Sequence, residues 1–238
     1  MLSAADIKRI KSLKDKKFRD ELGLFVVEGE KMVREAMGST FQVVEHYTAA
    51  QIGEKAMERI SLLSSPSAEL CVLRKPSALN GIPQLKADGL YIALDSIRDP
   101  GNMGTILRIA DWFGIDGVLA SADSVDVFNP KVVQSTMGAI FRVDFHYCDV
   151  VQLCSRADVD VYGTFLGGEN IYPMDLSPAG KARIIVIGNE SNGISDAVAA
   201  HCPHRITIPS FAKGKGSESL NAAVATAIVT SEFKRREP

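Results

Sequence analysis

The sequence contains few of the features that metal-binding, disulfide-bonded or membrane-spanning proteins require. Its 238 residues include four cysteines, and no two of them form a CxxC pair. No apolar run is long enough to span a membrane, and the first residues do not resemble a secretory signal peptide. These absences favour a soluble protein of the reducing cytoplasm, without a disulfide framework, a zinc finger or a membrane anchor.

Three potential metal ligands lie close together near the end of the chain. They are His201, Cys202 and His204, but no second ligand pair follows at the spacing of a zinc finger. Three donors this close usually reflect the chemistry of a loop. The sequence therefore predicts no metal site.

Two common phosphate-binding motifs are also missing. Residues 211–219 read FAKGKGSES and lead into a helix, as a Walker A loop would, but Gly216 separates Lys215 from Ser217. No GxGxxG fingerprint follows the first strand of the C-terminal part. Nucleotide binding by the Lys and Gly loop 213–217 is therefore an alternative hypothesis only.

Charge is nearly balanced over the chain, with a net charge of −2, but it is unevenly distributed. Residues 1–19 contain seven basic residues and two acidic ones. Such a segment is either a solvated amphipathic helix or an arm that contacts nucleic acid, and charge alone does not separate these two interpretations.

The N-terminal part alternates between predicted helices and strands. Its first helix carries Ile7, Ile10, Leu13 and Phe18 on an apolar face and ends near Gly23. The segments after it are predicted as strands at 24–29, 41–49 and 60–63, and as helices at 30–37, 51–59 and from a Ser65 and Pro66 start.

A linker divides the chain into two predicted domains. Residues 80–89 contain one proline, two glycines and mixed charge, which is typical of a connection between domains. The sequence therefore predicts a small domain of helices and strands at 1–83 and a larger one at 84–238.

The larger part has the pattern of a parallel α/β sheet. Short β-branched runs, such as RIIVI at 183–187, are typical of strands that are buried on both faces. The predicted strands are 90–95, 117–121, 139–145, 159–165, 183–187 and 205–208. The predicted helices are 103–113, 129–138 and a C-terminal helix with Leu220, Val224, Ala227 and Ile228 on one apolar face.

Polar residues follow several of these predicted strands. Asn102 and Arg108 lie in the helix after the first strand, Glu190 follows a later strand, and Ser219 and Asn221 begin the last helix. Ligands bind beyond the carboxyl ends of strands in open α/β sheets, so these residues are candidates for a small-molecule site. Each also has an ordinary interpretation, either as a surface arginine or as a helix cap.

Three ordered motifs resemble those of the SpoU (TrmH-type) RNA 2′-O-ribose methyltransferases of the SPOUT class. The first is DPGNMGTILR, which contains Asn102 and Arg108, and the second is VIGNESNGIS, which contains Glu190. The third is IP followed by SLN, which contains Ser219 and Asn221. Three motifs in the right order, each with its polar residues, form a far more specific signal than any one of them.

The resemblance extends over most of the chain. It covers roughly residues 90–233, and SxMGAIFRV between Ser135 and Val143 is a fourth, weaker match. The segment before it, up to about residue 80, resembles the L30e-like substrate-binding domain that precedes the catalytic domain in many members, including VEGEKMV at 27–33.

The resemblance implies a fold and a cofactor. The fold is an α/β, SPOUT-type parallel sheet with a C-terminal trefoil knot, preceded by a small α/β L30e-like domain. S-adenosylmethionine binds in the knotted loops, and members are homodimers. The residues implied to bind the cofactor are Gly167, Gly188, Asn189, Ile208, Pro209 and Leu220.

The resemblance also implies a reaction, the transfer of a methyl group from S-adenosylmethionine to a ribose 2′-hydroxyl of rRNA or tRNA without a metal. The residues implied to be catalytic are Arg108, Asn102, Glu190, Ser219 and Asn221. Whether Arg108 is a base or an anchor stays open, although a guanidinium pKa above about 12 favours an anchor. The 210–218 loop is longer than usual for the family and suggests RNA contact. A non-catalytic RNA-binding protein is the other alternative.

Overall fold

The computed structural model describes residues 2–77, 79–213, 216 and 218–237, which form two compact units. One unit contains residues up to 77 together with 126–142, and the other contains the remaining described residues. The chain therefore leaves the second unit after residue 125 and returns to it at residue 143. The domain boundary between residues 83 and 84 stays a prediction. The two predicted domains, 1–83 and 84–238, did not include the return of residues 126–142 to the first unit.

The first unit combines short helices with a small sheet. Its elements up to residue 77 are α1 (Ala4–Ser12), α2 (Lys16–Leu22), β1 (Leu24–Glu28), α3 (Glu30–Met37), β2 (Val43–Thr48), α4 (Ala49–Ile52), α5 (Glu54–Ile60) and β3 (Glu69–Arg74). Strand β3 lies between β1 and β2 and is antiparallel to both of them. This is the small domain of helices and strands that the sequence predicts.

The first 23 residues form two helices, where the sequence predicted one. Ser3 caps α1 in a capping box with Asp6, and Gly23 ends α2 with a φ of 64°, in the left-handed region where glycine is favoured. Ile10 and Leu13 are fully buried as predicted, but Phe18 is exposed. Because a turn separates the two helices, Arg19 is buried instead of Phe18.

Two further predictions in this unit were wrong. Residues 61–63 are not a strand, because helix α5 continues to Ile60 and the chain then leaves regular structure. No helix follows Pro66 either, and residues 69–74 form the central strand β3. That strand is buried at Leu70, Cys71, Val72 and Leu73, so tertiary packing overrides the local helix-start signal.

Residues 126–142 complete the first unit through a buried ion pair and aromatic contacts. The guanidinium of Arg19 donates to one carboxylate oxygen of Asp126 from Nε at 2.9 Å and from Nη2 at 2.6 Å. The ring of Phe128 lies 4.5 Å from that of Phe25, centroid to centroid. Arg142 also forms an ion pair with Glu35.

The chain from residue 79 onward contains the larger sheet. Its elements in chain order are β4 (Leu90–Leu94), α6 (Pro100–Trp112), β5 (Gly117–Ala120), α7 (Pro130–Thr136), β6 (Phe145–Tyr147), α8 (Val150–Cys154), β7 (Val159–Asn170), β8 (Ala182–Ile187), α9 (Asp196–Ala199), β9 (His204–Thr207) and α10 (Ala222–Arg235). The strands form one parallel sheet in the order β6, β5, β4, β8, β7, β9. The predicted α/β fold with a parallel sheet is confirmed, and the knot stays a prediction.

The predicted strand at 139–145 was wrong in most of its length. Residues 139–141 form a 3-10 turn, and the strand in this region is limited to 145–147. Gly138 precedes the turn with a φ of 99°, and residues up to 142 belong to the first unit. The apolar run at 139–141 therefore fills the interior of another unit instead of joining the parallel sheet.

Helix α10 buries a different face from the one that its sequence predicted. The buried residues are Ala223, Thr226, Val229, Thr230 and Phe233, and the helix packs against α6 and β8. The predicted stripe begins with Leu220 and Val224, whose exposed fractions are 48% and 49%. The helix thus has two apolar faces, and the face that the sequence predicted to be buried lies largely outside the core.

Candidate active site

The candidate site lies at the carboxyl ends of the parallel strands, where helix α6 begins. Asp99 is the N-cap of this helix, and its carboxylate accepts a hydrogen bond of 2.8 Å from the backbone N–H of Asn102. Pro100 occupies the first helical position, where its missing N–H has no cost. The DPGN sequence therefore fixes the start of the helix and the position of Asn102 in its first turn.

The carboxylate of Glu190 binds this helix start from the loop after β8. It accepts hydrogen bonds from the backbone N–H groups of Arg98 (3.2 Å) and Asp99 (3.0 Å). It also accepts one of 3.0 Å from the side-chain nitrogen of Asn102. Glu190 therefore binds the start of the helix in the first motif, and it is not the N-cap of the helix that follows its own loop, which is Ser195.

Asn102 extends this contact to the start of helix α10. Its side-chain oxygen accepts a hydrogen bond of 2.8 Å from the side-chain nitrogen of Asn221. The oxygen of Asn221 in turn accepts from the backbone N–H groups of Ala223 and Val224, as an N-cap does. One continuous chain of hydrogen bonds thus connects Glu190, Asn102 and Asn221, each from a different motif.

The hydrogen bonds set the charge state of Glu190. Burial by itself raises the pKa of this carboxyl, but hydrogen bonds from Asn102, from its own backbone and from the backbone of Asp99 and Arg98 outweigh that effect, so its pKa lies below the ordinary value. The carboxylate is therefore ionised at neutral pH. It acts as a hydrogen-bond acceptor that orients the amide of Asn102.

Arg108 is separate from this hydrogen-bonded chain. It is exposed on α6, two turns beyond the helix start, and has no hydrogen bond or ion pair with any described residue. Six residues of helix separate it from Asn102 by about 9 Å along the axis and about 120° around it. The expectation that Asn102 and Arg108 approach one ligand therefore stays a prediction.

The glycines predicted to bind the cofactor differ in their surroundings. A Cβ at Gly188 would lie 2.2 Å from the backbone of Gly193 and Ile194, so glycine is required there for close packing of the loop. A Cβ at Gly167 would meet nothing within 4 Å, so its backbone faces open space. Gly167 is therefore the glycine that offers room for a ligand.

The other residues predicted to bind the cofactor lie at the same edge of the sheet. Ile208 and Pro209 follow β9 and are partly buried, and Leu220 is half exposed just before α10. Asn189 is part of the loop structure, because its side-chain nitrogen donates to the carbonyl of Ser96 at 2.7 Å. Ser219 is exposed in the adjoining turn.

A separate cavity of about 390 Å³ lies at the ends of β4, β5 and β6. Asp95, Ser121, Asp149 and Ser195 contribute polar groups to its wall, and valines contribute apolar ones. None of the predicted site residues lines it. This cavity is therefore distinct from the place where the three motifs converge.

The described residues contain no group of three or more His, Cys, Asp or Glu side chains that could hold a metal ion. The ring of His204 stacks on Tyr162, and the buried thiol of Cys202 donates to the carbonyl of Val198. Among the described residues, no helix has both the length and the hydropathy needed to cross a membrane.

Comparison with known proteins identifies the family. The model of the SpoU rRNA Methylase family matches residues 89–231, which contain all three motifs. The chain belongs to this family. A second model, the MRM3-like substrate binding domain, matches residues 4–74, which form most of the first unit.

Several known proteins are similar over nearly the full length of the chain. A TrmH-family protein from Porphyromonas gingivalis, whose solved structure is described as that of a putative RNA methyltransferase, is 39% identical with a TM-score of 0.87, covering 99% of both chains. An AdoMet-bound rRNA methyltransferase from Sinorhizobium meliloti is 28% identical with a TM-score of 0.86, covering 99% of this chain and 97% of that one. A 23S rRNA (guanosine(2553)-2′-O)-methyltransferase from Bacillus subtilis is 28% identical over 96% of this chain and 95% of its own length.

No motif in the sequence singled out Asp95 and Ser96, which bind the loop that carries Glu190. Asp95 accepts a hydrogen bond from the backbone of Ser195, and Ser96 adopts a φ of 60°, which is uncommon outside glycine. The only local signal was an acidic residue directly after a buried strand. Their partners in the Glu190 loop, Ser195 for Asp95 and Asn189 for Ser96, lie 100 and 93 positions away, so no periodic pattern could reveal them.

Proposed function

We propose that this protein is an S-adenosylmethionine-dependent RNA methyltransferase that modifies a ribose 2′-hydroxyl. The observation that carries the proposal is the hydrogen-bonded chain from Glu190 through Asn102 to Asn221. It brings all three motifs of the family together at the carboxyl edge of the sheet, where ligands bind in α/β folds. The AdoMet-bound relative from Sinorhizobium meliloti supports the choice of cofactor.

The reaction requires orientation more than acid or base strength. When bound, S-adenosylmethionine supplies a methyl group that is already activated on a sulfonium. The chain must hold the ribose oxygen in line with that methyl, and such orientation is worth up to about 7–11 kcal/mol. Asn102 and Asn221 suit this role because the hydrogen bond between them, together with those to Glu190 and Ala223, fixes the orientation of both side-chain amides.

Arg108 is proposed to anchor the reacting nucleotide. Its guanidinium stays protonated, so it binds a phosphate or a developing oxyanion more readily than it accepts a proton. Its exposure on α6 leaves all its donors available to a nucleic acid. Ser219 is proposed to contact the ribose, and Ile208, Pro209, Leu220 and Gly167 to contact the cofactor.

RNA is the proposed substrate, and rRNA is the class that the relatives favour. The Bacillus subtilis protein is named as a 23S rRNA methyltransferase, and the first unit matches a substrate-binding domain. Seven basic residues in the first nineteen supply positive charge for phosphate contacts. The longer 210–218 loop adds Lys213, which is exposed.

A homodimer is proposed from two uncovered helix faces. Trp112 on α6 is 85% exposed, and the outer stripe of α10 that includes Val224 is apolar and half exposed. Helices α6 and α10 pack together. A second copy of the chain would cover these exposed apolar side chains. Sedimentation of wild-type protein against Val224→Glu tests this, since a wild-type monomer would contradict it.

The two alternatives predict different ligands. Nucleotide binding by loop 213–217 would involve phosphate contacts from this loop. Residues 214, 215 and 217 lie outside the described part of the chain. A non-catalytic RNA-binding protein would bind RNA without transferring a methyl group. A cytoplasmic location is proposed, because rRNA is made there in bacteria and the four cysteines are all free.

Three assays on one preparation separate these functions. Calorimetric titration compares S-adenosylmethionine with ATP without added metal, and we expect binding of the first only. Transfer of a labelled methyl group to total rRNA and to tRNA then tests the reaction, with ribose position assigned by alkaline hydrolysis and mass spectrometry. Absence of S-adenosylmethionine binding at millimolar concentration would refute the proposal, and transfer to a base would correct the acceptor.

A further inference from the structure

The turn after β4, residues 95–99, binds the loop that carries Glu190, residues 189–195. Asp95 is buried, with 6% of its surface exposed, and its carboxylate accepts a hydrogen bond of 2.7 Å from the backbone N–H of Ser195. A carboxylate that accepts from a backbone N–H is a strong, charge-assisted acceptor. Asp95 therefore fixes the loop at the position where it enters helix α9.

The same turn fixes the beginning of the loop. The side-chain nitrogen of Asn189 donates to the carbonyl of Ser96 at 2.7 Å. The oxygen of Asn189 accepts from the backbone of Ser191 and Asn192, and the loop closes on itself through paired backbone hydrogen bonds between Asn189 and Gly193. Glu190 thus lies in a compact loop that is attached to the turn at both ends.

The turn is itself held by the neighbouring loop, so it is a rigid support. The backbone N–H of Ser96 donates to the hydroxyl of Ser121 at 2.8 Å, and that of Ile97 donates to Ser124 at 3.2 Å. Val125 donates back to the carbonyl of Ile97 at 2.8 Å. These contacts maintain the left-handed conformation of Ser96, which a free turn would rarely adopt.

We propose that Asp95 is a positioning residue for the methyl transfer, a role that rests on the proposed function. By binding the backbone of Ser195, Asp95 fixes the position of the 189–195 loop relative to the start of α6. It thereby fixes the distance from Glu190 to Asn102. Loss of this attachment would let the loop shift while the support stayed in place. A misplacement of about 1 Å can reduce a rate by about 100-fold, even when the moved group is remote from the reacting atoms.

The donor and the acceptor of this hydrogen bond can be removed separately. Ser195→Pro deletes the N–H, and the φ of −62° at Ser195 already matches that of proline. Ser195→Ala is its matched control, since the serine side chain makes no capping hydrogen bond and the N–H is kept. Asp95→Ala deletes the acceptor, whereas Asp95→Asn keeps a carbonyl oxygen for Ser195.

The control for loss of a carboxylate at this edge is Asp149→Ala. Asp149 also follows a strand and also accepts from a backbone N–H, that of Gln152 at 3.0 Å, but it forms no hydrogen bond with the Glu190 loop in the described part of the chain. A merely structural carboxylate should behave like Asp149. Its variant should lose some thermal stability and keep its rate of methyl transfer.

The experiment measures single-turnover methyl transfer at saturating S-adenosylmethionine and RNA, together with hydrogen exchange of residues 189–195. We expect Asp95→Ala and Ser195→Pro to slow transfer by about 10- to 100-fold and to speed exchange of the loop, while Asp95→Asn, Ser195→Ala and Asp149→Ala stay within about threefold of wild type. In a Glu190→Ala background, Asp95→Ala should cause no further loss of rate.

Other outcomes overturn the proposal. A wild-type rate in folded Asp95→Ala, or an undiminished further loss in the Glu190→Ala background, would mean that Asp95 does not act through Glu190. Unchanged loop exchange in both deletion variants would do the same without reference to activity. If wild-type protein binds S-adenosylmethionine but methylates no RNA, the proposed function fails, and the exchange data still decide whether Asp95 holds the loop.

Discussion

The side-chain nitrogen of Asn221 lies 2.8 Å from the side-chain oxygen of Asn102, which is 119 positions earlier in the chain. This hydrogen bond fixes which end of the Asn102 amide faces Glu190, because the amide nitrogen must then donate to the carboxylate. The first and third motifs are therefore joined by an amide pair, and the second is joined to them by a carboxylate. Substitutions at Asn102 and Glu190 therefore test the order of donors and acceptors in this series of hydrogen bonds.

Asn102→Asp should destabilise the protein although it is nearly isosteric. The acceptor for Asn221 is kept, but the donor to Glu190 is replaced by a second carboxylate beside the first. We expect a loss of about 1–3 kcal/mol in the free energy of unfolding at pH 7, measured by urea denaturation. Asn129→Asp is the control, since that residue only caps α7 through its oxygen. Equal losses in both variants would contradict the orientation described for Asn102.

Glu190→Gln should remove a stability contribution that depends on pH. Because the folded-state pKa of Glu190 is lowered, its contribution is present above the ordinary carboxyl value of about 4.3 and is lost as pH falls through the folded pKa. The wild type should therefore exceed the variant in melting temperature at pH 7, and the difference should shrink below about pH 4. A difference that is constant with pH would show that the charge of Glu190 is not involved.

Gly188→Ala and Gly167→Ala should affect different properties. The added methyl at residue 188 overlaps backbone atoms of Gly193 and Ile194, so we expect a loss of about 1–3 kcal/mol in stability. The methyl at residue 167 enters open space, so stability should change by less than about 0.5 kcal/mol while affinity for S-adenosylmethionine falls. Thermal unfolding and calorimetric titration measure the two effects. Wild-type affinity in Gly167→Ala would remove this residue from the cofactor site.

Arg108→Ala should reduce single-turnover methyl transfer by about 100-fold or more and leave S-adenosylmethionine affinity unchanged, because lost orientation acts on the chemical step. Arg108→Lys separates charge from geometry, since lysine keeps the charge but not the planar fork. Arg156→Ala, at a partly exposed arginine paired with Asp158, is the control. A folded alanine variant with wild-type rate would return Arg108 to an ordinary surface arginine.

Arg19→Met should destabilise the first unit, because it leaves the buried carboxylate of Asp126 without its partner. We expect a loss of about 3–5 kcal/mol in the free energy of unfolding, with Asp126→Asn non-additive in the double variant. Lys17→Met, in an exposed pair with Glu21, should change stability by less than about 0.5 kcal/mol. Additive single losses would show that the ion pair does not couple the two segments.

This ion pair also changes how the role of the first unit should be tested. Deleting residues 1–80 would remove the elements against which residues 126–142 pack, and would uncover Phe128 and its neighbours. Loss of RNA binding after such a deletion would then be ambiguous. Replacing exposed lysines such as Lys8 and Lys17 in the intact chain tests the same hypothesis, and fewer phosphate contacts should flatten the salt dependence of RNA binding.

Local patterns in the sequence determined most of the larger sheet. The β-branched run at 183–187 became the central strand β8, and the Asp99 and Pro100 start became the cap of α6. Both signals depend on neighbouring residues only, since burial on two faces selects β-branched side chains and a helix start selects an acceptor followed by proline. Asn102, Glu190 and Asn221 were assigned to the site by the resemblance to the SpoU family, since local patterns alone also allowed ordinary roles such as helix caps.

Only the tertiary structure decided which partners these residues have. The run at 139–141 reads as a strand, but it packs into the first unit, and α10 buries the face that carries Phe233 instead of the stripe that begins at Leu220. The contact of Asp95 with Ser195 likewise spans 100 positions. Periodicity shows that a segment has an apolar face or a polar cap, but it carries no information about distant partners, because these depend on how the whole chain packs.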